Sequence, residues 1–100
     1  MGRLDQLCIF SHHVMDRMRQ RRIEPTDVKT VLKNGTIIDL CEEAKPHKRC
    51  VVLGHLENGS PLHVVVAIVP DGLLILTTYE PTVDRWSNDF KTKVVNKRGM

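Results

Sequence analysis

Aromatic residues are nearly missing from this chain. Two Phe, one Tyr and one Trp are all it has in 100 residues. A core built on rings is therefore excluded, and packing must rest on Val, Ile, Leu and Met. Cysteine is also sparse: Cys8, Cys41 and Cys50 are odd in number, widely spaced and contain no CxxC pair. That argues against a disulfide framework or an all-cysteine zinc site and fits three reduced thiols in a cytoplasmic protein. The longest apolar run, "LHVVVAIVP", is strand-sized, far short of the roughly 18 residues of a membrane span. "MGRLDQLCIF" has neither the apolar run nor the cleavage site of a signal peptide. No Gly-rich phosphate loop, nucleophile elbow, dinucleotide fingerprint, HxxxH or HExxH pair is present, so neither a cofactor nor a metal is expected.

What remains is a mildly basic chain of formal charge +3 with 41% hydrophobic residues, enough for one packed domain over 1–100. The charge permits a polyanionic partner without requiring one. Ser11 can cap a helix whose apolar stripe is Phe10, Val14, Met15 and Met18. "IEPTDVKTVLKNGT" predicts a second helix, with Pro25 in its first turn, Asp27 on its dipole and Gly35 in the left-handed conformation at its end. From Thr36 the period changes to that of strands: "TIIDLCEE", "RCVVLGHL", "PLHVVVAIV" and "LLILTTYE", separated by "AKPHK", "ENGS" and "PDG". The expected architecture is α+β, with two N-terminal helices packed on one face of a four-stranded antiparallel sheet. Trp86 and Phe90 suggest a docked turn, and residues 91–100 a flexible basic tail.

Turn types predict the register. A two-residue Asp71-Gly72 loop pairs Val64 with Tyr79 and His63 with Glu80, and a two-residue Asn58-Gly59 loop sets Gly54 opposite His63. Val51, Leu53, Val64, Val66, Ile68, Ile75 and Thr77 then form the aliphatic face that suits the helices. His63, Thr78 and Glu80 lie on the other face.

Two constellations could carry chemistry. His13, Arg17 and Arg21 stand at i, i+4 and i+8, drifting about 40 degrees per step along the border of the apolar stripe. They read either as a solvated basic face, with Asp16 pairing to Arg19, or as a row that grips phosphate: Arg offers a fork matched to its oxygens and His exchanges a proton near neutral pH. His63 is either a satisfied core histidine or an acid–base group oriented by Glu80. Tyr79 either packs or holds a base or phosphate. His47 reads as a solvated loop residue.

In order along the chain, "HHVMDRMRQRRI", "VLKNGTII", "RCVVLG", "PLHVVVAI" and "LTTYEPTVDRW" resemble a small prokaryotic family, domain of unknown function forty-two fifty-eight. In outline that family is similar to RelE-like and BrnT-like toxins of the barnase–EndoU–colicin–RelE group. The family's histidine and two arginines fall on His13, Arg17 and Arg21, its strand histidine on His63, and its "TYEP" on Tyr79, Glu80 and Pro81. A glycine often follows the second helix arginine in the family pattern; Arg22 stands there. The resemblance implies a RelE-like fold, a toxin-type endoribonuclease working without metal, and a small zinc-finger antitoxin beside it. Arg17 would stabilise the transition state, His13 or His63 would move protons with Glu80 orienting His63, and Arg21 and Tyr79 would bind RNA. The competing readings are a non-catalytic nucleic-acid- or protein-binding module, and a small homodimer joined through its second apolar sheet face.

Overall fold

Ser11 opens the first helix as its position predicts: its Oγ accepts the Val14 N–H at 3.2 Å. In the computed structural model, which describes residues 8–82, the elements run β1 (Cys8–Phe10), α1 (His12–Gln20), α2 (Pro25–Asn34), β2 (Thr36–Cys41), β3 (Arg49–His55), β4 (Pro61–Val69) and β5 (Gly72–Tyr79). Pro25 begins α2, where a missing N–H costs nothing, and the Asp27 carboxylate accepts the Glu24 N–H at 2.9 Å. Trp86, Phe90 and the basic tail lie outside the described residues.

The turn between the helices is tight although no glycine makes it. Arg22 takes φ 59, the left-handed conformation. Its N–H donates to the Arg19 carbonyl at 3.2 Å, and the Ile23 N–H reaches back to the Met18 carbonyl at 2.8 Å. That is a Schellman arrangement, closed by two buried side chains, Met18 and Ile23. A left-handed non-glycine residue costs roughly 1–2 kcal/mol, and glycine's extra freedom in the unfolded chain returns about half of that. Arg22→Gly should therefore stabilise the domain by about 0.5–1 kcal/mol, read as a higher urea midpoint at unchanged slope; a lower midpoint would contradict the strain.

The sheet differs from the expected one. It has five strands in the order β1-β5-β4-β3-β2. β2 to β5 form an antiparallel meander, but β1 pairs with β5 in parallel, with Cys8 opposite Leu73 and Phe10 opposite Ile75. The four-stranded antiparallel sheet is thus corrected to a five-stranded mixed one within an α+β fold. Cys8–Phe10 is too short to show alternation, and a parallel partner far along the chain leaves no turn signal beside it.

Register is corrected as well. The β3–β4 loop holds three residues, Glu57 to Gly59, closed by Leu56 N–H to Ser60 O at 2.8 Å with Gly59 at φ 90. Leu53, not Gly54, therefore opposes His63. The β4–β5 turn sits on Pro70-Asp71, which moves the pairing by two, and a bulge between Val65 and Val66 returns one step, so His63 opposes Tyr79 rather than Glu80. Opposed residues share a face. Cys50, Val52, Val64, Val66 and Ile75 face the helices and join Val14, Met18, Val28, Val31 and Leu32 in the core. Val64, Val66 and Ile75 are where the register estimate puts them; Val51 and Leu53 point the other way because the longer β3–β4 loop shifts the parity by one, and Thr77 because the bulge does. Each fully buried aliphatic chain contributes about 1.5–3 kcal/mol, so this layer holds the domain together.

Two features of the packing place the site. α2 lies on β3 and β4, whereas α1 lies on β5. β1 covers the outer edge of β5 only from Leu73 to Ile75. Beyond Ile75 no strand pairs with that edge among the described residues, and α1 runs beside it.

Candidate functional site

The first helix carries two basic faces of different character. On the outer one Arg19 is tied to Asp16 in an exposed ion pair, the ordinary solvated arrangement. On the inner one His13 and Arg17 line a cleft of about 250 Å³ against Leu76, Thr77 and Thr78 of β5, with Val14 at its floor. Among the described residues no carboxylate lines it. The i, i+4 spacing puts imidazole and guanidinium one turn apart on the same wall, and both side chains are exposed. Core packing of Val14 and Met18 fixes the helix rotation that aims them there.

Arg21 sits one turn further on and is already engaged. Its Nη1 donates to the Thr78 carbonyl at 2.6 Å, bridging the end of α1 to the open edge of β5. A guanidinium has five donors, so this bond leaves capacity for a second partner. The opposite wall contributes Thr78, which sequence reasoning did not single out. The residue is 2% exposed, and its Oγ1 has no hydrogen-bond partner among the described residues. Leaving such a hydroxyl unsatisfied costs about 1–3 kcal/mol. Thr78 shares the helix face with Val64. Its role follows from that register alone, and a threonine in a strand gives no local signal of it.

The other expected site residues do not reach this cleft. His63 is fully buried on the opposite face. Its Nδ1 lies 3.3 Å from Tyr79 Oη, and the two rings meet edge to face at 5.3 Å between centroids. Burial pushes the Tyr79 phenol above its ordinary pKa, so at neutral pH it is a neutral hydroxyl. Glu80 is exposed and lies one residue past the strand partner of His63, so the predicted His63–Glu80 pair is replaced by His63–Tyr79. The sheet stands between His63 and the row of His13, Arg17 and Arg21, so His63 does not share a site with them.

Among the described residues no three His, Cys, Asp or Glu side chains gather closely enough to hold a metal ion, and no helix is long and apolar enough to cross a membrane. No curated protein and no solved structure matches the chain. The model of the family described as Domain of unknown function (DUF4258) matches residues 10–80, most of the chain, and the protein belongs to that family.

Proposed function

We propose that this domain is a toxin-type endoribonuclease that needs no metal and takes an RNA phosphodiester into the cleft between α1 and β5. The observation that carries this reading is the gathering of His13, Arg17 and the unpartnered Thr78 hydroxyl around one carboxylate-free cleft. The resemblance to RelE-like and BrnT-like toxins supports it, and with that resemblance come a cytoplasmic RNA substrate and a small zinc-finger antitoxin as partner. His13 takes the proton of the ribose 2′-OH, whose oxygen forms a bond to the adjacent phosphorus. Arg17 and the Thr78 hydroxyl hold the phosphoryl oxygens as charge builds. The bond from phosphorus to the 5′-oxygen breaks, and that oxygen leaves with a proton from water. The products are a 2′,3′-cyclic phosphate and a 5′-OH. Arg21 positions Thr78 through its carbonyl. His63 and Tyr79 brace the other face of the sheet.

One observation favours a second reading. With His63 buried on the far face, His13 is the only imidazole lining the cleft among the described residues, and none of the other described lining residues is an acid that could give a proton to the leaving oxygen. A module that holds RNA without cutting it needs only Arg17, Arg21 and Thr78.

Both readings meet in one experiment: end-labelled RNA incubated with the purified protein in excess EDTA, beside the same strand carrying 2′-deoxyribose. Cleavage of RNA alone, leaving cyclic-phosphate ends, and a fall of at least tenfold in Arg17→Ala are expected of the enzyme. Intact RNA bound with an affinity that drops steeply with salt selects the binding module. Neither cleavage nor binding removes both.

A further inference from the structure

β2 is the other edge of the sheet, four positions from β1 in the strand order. Its outer side has no strand partner among the described residues. Edge strands of soluble proteins are commonly guarded by Lys, Pro or inward-pointing charge. "TIIDLC" contains no Lys, Arg or Pro, and its one charge, Asp39, opposes Val51 on the face away from the helices. Among the described residues the exposed large hydrophobic side chains are Ile37, Leu40 and Ile68 at 46%, 48% and 37%. All three point to the helix side. Ile37 opposes Val52, Leu40 opposes Cys50, and Ile68 opposes Leu73, each partner being a core residue. The helix layer rests mainly on β3, β4 and β5, and Ile37 and Leu40 at the edge stay exposed.

The bulge in β2 makes the edge complementary to itself. Residues three apart in a regular strand point to opposite faces. The irregularity between Ile37 and Asp39 brings Ile37 and Leu40 to the same face. Two copies of β2 run antiparallel about a two-fold axis between Ile38 and Asp39 then set Ile37 of each against Leu40 of the other, and Thr36 against Cys41. Both of these pairs keep their faces: Ile37 and Leu40 on the helix side, Thr36 and Cys41 on the far side with Leu53 and Arg49. Asp39 meets Ile38 of the second copy instead of another Asp39, so like charges are not stacked.

We infer that the β2 edge is a dimer interface whose occupant is a second copy of this chain, joined antiparallel in that register. The two five-stranded sheets become one continuous sheet, and the α1–β5 clefts lie at its two far ends. An isologous contact of this kind closes on itself and stops at two copies. It differs from a dimer through the sheet face, because the contact is made by backbone pairing along an edge. The inference stands apart from the RNA reading, since no cleft residue is in β2.

Sedimentation of the intact chain at two concentrations a hundredfold apart tests it. The mass should rise toward twice that of the chain, and Leu40→Lys, an exposed position that leaves the fold intact by circular dichroism, should remain monomeric at both. Register is read by a disulfide. Opposed residues of an antiparallel pair lie about 4.5–5.5 Å apart at Cα, within the span a disulfide bridges. Thr36→Cys should therefore cross-link to native Cys41 of the second copy under mild oxidation, and the double variant Thr36→Cys, Cys41→Ser should not. A monomer at both concentrations overturns the inference, as does a dimer that survives Leu40→Lys or one without the Thr36→Cys cross-link. Slow amide exchange along β2 in a monomer also overturns it, assigning the edge to the chain's own remaining residues.

Discussion

Gly35→Ala should destabilise the domain by about 3 kcal/mol, the upper part of the range for overpacking a filled site. Backbone conformation alone predicts the opposite sign. Gly35 ends α2 at φ −83 and ψ −175, extended rather than in the left-handed conformation expected of it, and alanine adopts those angles freely. By chain entropy the substitution would stabilise by about 0.4–1 kcal/mol. Space decides against it. A Cβ at Gly35 would stand 2.4 Å from the Leu53 carbonyl oxygen, 2.5 Å from the Val31 carbonyl oxygen and 2.9 Å from a Val52 methyl. Two of the three are backbone atoms, one in α2 and one in β3, and neither yields without moving its element. Val31 also packs on Gly54, where a Cβ would stand 2.8 Å from both its methyl carbons. The pair of glycines is what lets α2 lie flat on β3. For a domain of this size the predicted loss lowers the melting temperature by roughly 15 °C. Urea unfolding followed by circular dichroism gives the sign directly, and a stability equal to or above that of the parent would show that the close approach is not there.

This glycine shows why parts of the fold were legible and others were not. "KNGT" announces that a helix stops, and it does. The reason for glycine lies in β3, some twenty residues on, and nothing local in the sequence carries that. Ser11, Pro25 and Asp27 act on their own helices and read correctly. The strands β2 to β5 read correctly as strands for the same local reason. Register fails because it accumulates. A third residue in the Asn58-Gly59 loop replaces Gly54 by Leu53 opposite His63. A turn on Pro70-Asp71 in place of Asp71-Gly72 moves the β4–β5 pairing by two and the bulge at Val65 returns one, and these two together replace Glu80 by Tyr79 as the partner of His63. The site divides along the same line. His13 and Arg17 share a wall because a helix repeats every 3.6 residues, which is visible in "HHVMDRMRQRR". The facing wall exists because β1 is short and leaves Leu76–Thr78 beside α1, a fact of tertiary pairing alone.

That division yields the prediction with the largest effect on activity. His13→Ala should lower the single-turnover rate of RNA cleavage by at least about a hundredfold, the low end of what a positioned acid–base group supplies, or about 2.7 kcal/mol of barrier. RNA affinity should change only a few-fold, because Arg17 and Thr78 remain to hold the phosphate; Arg17→Ala, by contrast, should lower affinity and rate together and reduce the salt slope by about one. Misfolding cannot mimic this result, since His13 is exposed on α1 and alanine is the best helix former. His63→Ala supplies the opposite signature. His63 is fully buried against Tyr79, so its truncation should cost roughly 2–4 kcal/mol of stability through a cavity and a lost polar partner, while the rate per folded molecule, measured well below the variant's melting temperature, stays within a few-fold of the parent. The two variants thus separate the two faces of the sheet. If His63→Ala abolishes cleavage in a stably folded protein while His13→Ala cuts at the parental rate, the chemistry belongs to the far face, and the α1–β5 cleft is reduced to a surface between a helix and an open edge.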